Sequence, residues 1–162
     1  MVQTLNNIIN QLDDLFLFGR SNLDQIKYVI QSYDSDDWKQ YKENLLSNSL
    51  DNSSYHKIKL HQNNNYEIVL IIWNSYAQTK IHDHPDNGCV MKLLEGKLME
   101  DSYLNNLEEN KIKFHQRIIL LPGQISHKIS NQVLHQILCL REISTSIHIY
   151  LPPGHTPNYF VL

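Results

Sequence analysis

Two histidines one residue apart, His82-Asp83-His84, are the side chains in this sequence best spaced for chemistry. On an extended strand side chains alternate between faces, so both imidazoles point the same way. If that face is the inside of a barrel, two neutral nitrogens meet a common point. His127 follows the Pro122-Gly123 turn and is the candidate third ligand from a facing strand. Three imidazoles leave coordination positions open, as a catalytic metal requires. An H-x-H pair also arises by chance and a lone histidine is usually structural, so the elements around them must carry part of the argument.

Those elements change character along the chain. Residues 1–50 read as helical: Leu5, Ile8, Ile9, Leu12, Leu15 and Phe16 recur at helix spacing until Gly19. Ser21 is placed to cap a second helix with Leu23, Ile26, Val29 and Ile30, and Ser35 a third with Trp38, Tyr41 and Leu45. An Asn- and Ser-rich stretch, Ser47 to Ser54, reads as a loop. From Tyr55 onward β-branched and aromatic runs take over. Tyr66–Trp73, Cys89–Leu94, Leu98–Leu104, Lys111–Phe114, Arg117–Leu121, His135–Arg141 and Ser146–Tyr150 are strand candidates, separated by turns such as Pro85-Asp86-Asn87-Gly88 and Glu95-Gly96. Many short strands at this spacing predict a small all-β barrel, with N-terminal helices packed on it, in one domain of 162 residues.

Composition narrows the function classes. Lys and Arg number 14 against 17 Asp and Glu, a net charge of −3 that offers no nucleic-acid or membrane surface. The N-terminal run carries Asp13 and Asp14 and lacks a basic start, unlike a signal peptide or a transmembrane helix. Cys89 and Cys139 are therefore expected as thiols in a cytoplasmic monomer. Cys139, in an apolar strand, reads as core. His115, His135 and His155 match no motif and are expected on the surface or in loops, and Asp83 is expected on the strand face opposite the two histidines.

The spacings from His82-x-His84 to Gly96, and from Pro122 to His127 and Asn131, resemble the two motifs of the cupin barrels. The usual cupin pattern places a Glu ligand four or five residues after the H-x-H pair; here Cys89 stands five residues after His84. That departure resembles the cysteine dioxygenase branch. The stretches IHDHPDNGCVMKLLEGKL (Ile81 to Leu98), SIHIYLPP (Ser146 to Pro153) and YEIVLIIW (Tyr66 to Trp73) are similar to that family's motifs.

The resemblance implies a jelly-roll barrel holding Fe(2+) on three histidines, here His82, His84 and His127, and oxidation of L-cysteine to cysteine sulfinate with O2. It implies a thioether crosslink between Cys89 and Tyr150, with Ser146 and His148 orienting the tyrosine and Trp73 packed beside them. The family's Arg for the substrate carboxylate, on a Tyr-x-Arg segment, is missing. Alignment on Tyr55 puts Lys57 there, and alignment from Trp73 puts His56 there. Lysine is a point charge without the bidentate fork of arginine, so 3-mercaptopropionate and cysteamine stand beside cysteine as substrates. Two other readings are a metal-binding cupin without this activity, serving as a small-molecule binder or sensor, and a cupin enzyme using zinc, manganese or nickel.

Overall fold

The computed structural model describes residues 2–48, 54–106 and 111–162. The chain divides into two compact units, Met1–Ser53 and Ser54–Leu162. The described residues of the first contain three helices: α1 (Leu5–Leu17), α2 (Leu23–Ser32) and α3 (Lys39–Asn48). Thr4 caps α1 in a reciprocal capping box with Asn7, and the apolar face of the helix buries Leu5, Ile8 and Leu12. The α2 cap is Asn22, one residue beyond the expected Ser21; its side-chain oxygen accepts from the Gln25 N–H. Of the Asn- and Ser-rich stretch from Ser47 to Ser54, residues 49–53 lie outside the described residues.

The described residues of the second unit form ten strands: β1 (Tyr55–Gln62), β2 (Glu67–Trp73), β3 (Ile81–His82), β4 (Cys89–Glu95), β5 (Leu98–Asn106), β6 (Lys111–Leu120), β7 (Ile125–Lys128), β8 (Val133–Cys139), β9 (Ser144–Tyr150) and β10 (Tyr159–Phe160). They form two five-stranded antiparallel sheets, β1-β2-β9-β4-β7 and β10-β3-β8-β5-β6. The predicted mainly-β architecture is therefore observed. One core cluster joins the inward faces of both sheets: Val69, Ile71, Trp73, Met91 and Leu93 from the first meet Leu98, Leu120, Ile137 and Cys139 from the second.

Several strand assignments differ from the sequence reading, which does not include β1 or β10 among its strand candidates. Lys111–Phe114 and Arg117–Leu121 are one strand, β6, with a bulge. Ser102 pairs with Gln116 and Tyr103 with Phe114, so His115 is the extra residue and is exposed. The short β7, Ile125–Lys128, has too few apolar residues to read as a strand, yet it closes the edge of the first sheet against β4. By contrast β2 reads clearly because all seven of its residues are buried, which makes its sequence a continuous apolar run.

Candidate metal centre and active site

Strand parity decides which side chains reach the interior. In β8 the apolar residues Ile137 and Cys139 belong to the inter-sheet core, so His135, two residues earlier, points the same way. His135 lies directly opposite His82 across the β3–β8 ladder. One ligand nitrogen each from His82, His84 and His135 lies within 4.8 Å of the other two, the one such His/Cys/Asp/Glu group among the described residues. The His84 and His135 Nε2 atoms are 3.0 Å apart, and those of His135 and His82 are 3.2 Å apart.

His127 is not part of this group, which corrects the expected third ligand. In β7 the buried Ser126 pairs with Met91 and Lys128 with Cys89, both inward residues of β4. His127, between them, is turned to the opposite face of the sheet and is exposed. The correction extends to His135, expected at the surface but buried.

The hydrogen bonds fix the protonation of two of the three rings. His82 Nδ1 lies 2.8 Å from the Lys80 carbonyl, which can only accept, so Nδ1 carries the proton and Nε2 an unshared pair. His135 Nδ1 lies 2.5 Å from Glu100 Oε1 and donates in the same way. Burial, then the neighbouring His135, depresses His82 to about 3. Burial is also the largest cause of the lowered values of His84 and His135. Two uncharged rings thus turn bare nitrogen lone pairs toward each other at 3.2 Å, an arrangement that favours a cation between them. The spacing fits as well: two nitrogens each ~2.1 Å from one ion lie ~3.0 Å apart at a right angle.

The metal-free protein is expected to be acid-sensitive for the same reason. Unfolded, His82 titrates near the ordinary value of ~6.5, against about 3 when folded. The unfolded chain then binds more protons as pH falls, so stability present above pH ~6.5 is lost progressively toward pH 3. His84, His135 and His148 are depressed in the same direction. Each such ring removes up to ~1.4 kcal/mol between pH 7.5 and 5.5. Urea midpoints of chelator-treated protein at those two pH values measure this, and equal midpoints would contradict it.

A second line of side chains runs along the facing sheet. Cys89 on β4 and Tyr150 on β9 are directly opposed partners in neighbouring strands. The Trp73 indole N–H donates to Ser146 Oγ at 2.8 Å, and the Ser146 hydroxyl is hydrogen-bonded to His148 Nε2, also at 2.8 Å. His148 Nδ1 lies 3.9 Å from Cys89 Sγ. Its ring stacks on Tyr150 with an 8° interplanar angle and centroids 5.8 Å apart. Burial pushes the Cys89 thiol and the Tyr150 hydroxyl up and His148 well down, so all three are uncharged at neutral pH. The sequence-predicted Cys89, Ser146, His148 and Tyr150 are thus brought together.

The three imidazoles, His148, Tyr150 and Trp73 line one cavity, with Tyr55 and Lys57 on its β1 side. Tyr55 packs on Trp73 with ring centroids 5.1 Å apart. An adjoining cavity of about 260 Å³ shares Lys57, His82, Tyr150 and Pro157 with it. Of the two alternatives for the missing arginine, Lys57 pairs with the inward Ile71, whereas His56 pairs with Ile72 and does not line the cavity.

Asp83, between two of the histidines, holds the C-terminal segment. Its carboxylate accepts from the Asn158 backbone N–H at 2.9 Å and side-chain amide at 2.7 Å, and His155 Nε2 lies 3.2 Å away. This clasp seats β10 beside β3 and brings Pro157 and Tyr159 to the cavity wall.

Comparison with known proteins agrees with this geometry. The family model described as cysteine dioxygenase type I matches residues 1–161. Cysteine dioxygenase type 1 of Homo sapiens is 24% identical, and that of Bos taurus 27%, each comparison covering 98% of this chain and 79% of the relative. Among solved structures, the cupin domain of Schizosaccharomyces pombe Cnp3 superposes with a TM-score of 0.51 at 9% identity, covering 66% of this chain and 71% of that one, a likeness of fold. With a largely buried three-histidine group inside a cupin barrel and a family match spanning nearly its whole length, this chain belongs to the cysteine dioxygenase type I family.

Proposed function

We propose that this thiol dioxygenase uses iron(II) on His82, His84 and His135 to oxidise L-cysteine to cysteine sulfinate. The reaction balances as one thiol plus one O2 giving one sulfinic acid, with both oxygen atoms on sulfur. The observation that carries the reading is the meeting of three uncharged imidazoles, with no carboxylate among them, beside the Cys89–Tyr150 pair. Iron(II) bound there would supply a cation that favours the thiolate form of the substrate and a redox centre for dioxygen.

The chain's own residues supply position and polarity. Neutral ligands leave the cation's charge for an anionic thiolate to offset. Lys57, on the wall shared by both cavities, provides a positive charge for a substrate carboxylate. Tyr150 offers a hydroxyl donor to the reacting group, and the stacked His148 fixes its ring. A thioether between Cys89 Sγ and the Tyr150 ring, formed with two hydrogens passed to dioxygen, would immobilise that ring further. It is read out as a mass loss of two hydrogens, on a peptide pair joining Cys89 to Tyr150.

The direct test is to load metal-free protein with iron(II) anaerobically, add cysteine, 3-mercaptopropionate or cysteamine, and admit O2. Sulfinate from cysteine, with matching oxygen uptake, is the expected result; no sulfinate from any thiol with iron bound sinks the proposal. Lys57→Ala then reports on the carboxylate. A charge-assisted hydrogen bond to one substrate is worth ~10–100-fold, so KM for cysteine should rise by about that factor while cysteamine, lacking a carboxylate, changes little. Equal effects on the two thiols would remove Lys57 from substrate recognition.

A further inference from the structure

Behind His135 lies a charged group that the packing of two sheets does not require. Glu100, on β5, is fully buried, and its carboxylate accepts from three side chains on two other strands. These are His135 Nδ1 at 2.5 Å, Ser126 Oγ at 2.6 Å and Lys128 Nζ at 2.9 Å. The Lys128 side chain is itself only 9% exposed. A carboxylate that accepts from three donors, one of them the Lys128 ammonium, is held as an anion behind the His135 ring. A buried ion pair is a costly way to fill a core, and apolar residues of similar volume often serve stability better.

The three imidazoles differ in what stands behind them. His82 donates to a backbone carbonyl. His84 Nδ1 is buried with no hydrogen-bond partner among the described residues. Only His135 donates to a carboxylate. Such a bond fixes the tautomer and ring orientation of a metal-binding histidine and raises its basicity.

We infer that Glu100 is a positioning residue which holds His135 as a lone-pair donor on Nε2, and that Lys128 tempers it, so the pair sets the affinity of the site for a divalent ion. The inference rests on reading His82, His84 and His135 as metal ligands. It assigns opposite signs to the two partners. Removing the anion weakens the donor, whereas removing the cation leaves an uncompensated negative charge one hydrogen bond from a ligand. A pair that only holds strands together would lower affinity whichever partner is removed.

The test is equilibrium binding of cobalt(II) and zinc(II) alone to metal-free protein, in competition with a chelator at pH 7.5, without thiol or dioxygen. Urea midpoints establish that each variant is folded. Glu100→Gln is expected to lose about 10–100-fold in affinity, and Lys128→Met to gain severalfold. Glu100→Asp, which keeps the charge on a shorter arm, should fall between Glu100→Gln and the unchanged protein, and it decides the matter together with Lys128→Met if Glu100→Gln does not fold. Binding by Glu100→Gln within twofold of the unchanged protein, binding by Glu100→Asp tighter than the unchanged protein, or a loss of affinity in Lys128→Met, overturns the inference. If the unchanged protein binds neither ion, the ligand assignment itself fails, a result separate from any outcome among the variants.

Discussion

His135→Ala is expected to abolish metal retention and sulfinate formation together, while His127→Ala keeps both within about twofold. The two histidines lie eight positions apart in sequence but on opposite sides of the wall. His135 Nε2 sits within 3.2 Å of both other ligand nitrogens, and His127 faces away on the edge strand of the other sheet. Removing one of three protein ligands leaves two imidazoles and costs at least ~100-fold in affinity, comparable to or above the loss of an outer hydrogen-bonding partner. It also deprives the buried Glu100 of one of its three donors. His135→Gln, which keeps a polar side chain of similar reach without an imidazole, separates ligand loss from misfolding. An exposed His→Ala change away from the site shifts stability by no more than ~0.5 kcal/mol. The check is iron content by atomic emission alongside product formation; His127→Ala losing iron and His135→Ala keeping it would reverse the assignment.

Why the sequence favoured one histidine over the other is a matter of parity. Pro122, Gly123 and Asn131 point to the right neighbourhood, and a barrel strand does follow that turn. Within β7, however, the inward positions fall on Ser126 and Lys128, and a shift of one residue exchanges the faces of a strand. The usable signal was in β8, where His135, Ile137 and Cys139 alternate with Leu134, Gln136 and Leu138. A polar residue in register with buried apolar ones must be satisfied or functional. Glu100 carries the same signal, since Leu98, Glu100 and Ser102 share a face of β5 and all are buried. What was legible shares one property: it is local. His82 and His84 lie two residues apart, at the end of β3 and in the loop after it, so local proximity brings them together. The Cys89, Ser146, His148 and Tyr150 set is held by two strands that are direct neighbours in one sheet. The three-histidine group spans β3, β8 and the loop after β3, and no short-range pattern reports which residue of a distant strand will stand opposite.

Gly96→Ala is expected to cost about 3–5 kcal/mol of stability, by the usual range for overpacking combined with backbone strain, well above Gly123→Ala or Gly154→Ala, whose added Cβ would meet nothing within 4 Å. Gly96 turns the chain between β4 and β5 with φ +83°, a conformation that side chains rarely adopt. Its missing Cβ would lie 2.2 Å from Ser144 Oγ and 2.8 Å from both Ser144 Cβ and Cα. The hydroxyl can rotate away, but the Cα is backbone, and Ser144 is fully buried with its Oγ accepting from the Lys97 N–H at 3.0 Å. Ser144 also begins β9, opposite Trp73, two residues before Ser146. Pushing it outward displaces the strand that presents Ser146, His148 and Tyr150, so the substitution should disturb the site as well as the fold. The double variant Gly96→Ala with Ser144→Gly removes the clash with Oγ and Cβ but leaves the positive φ and the close approach to Cα, so it should recover only part of the stability. Urea midpoints of the three proteins measure this. A Gly96→Ala midpoint corresponding to less than ~1 kcal/mol would show that the turn relaxes without moving β9. Full recovery in the double variant would place the whole effect in the side chain of Ser144.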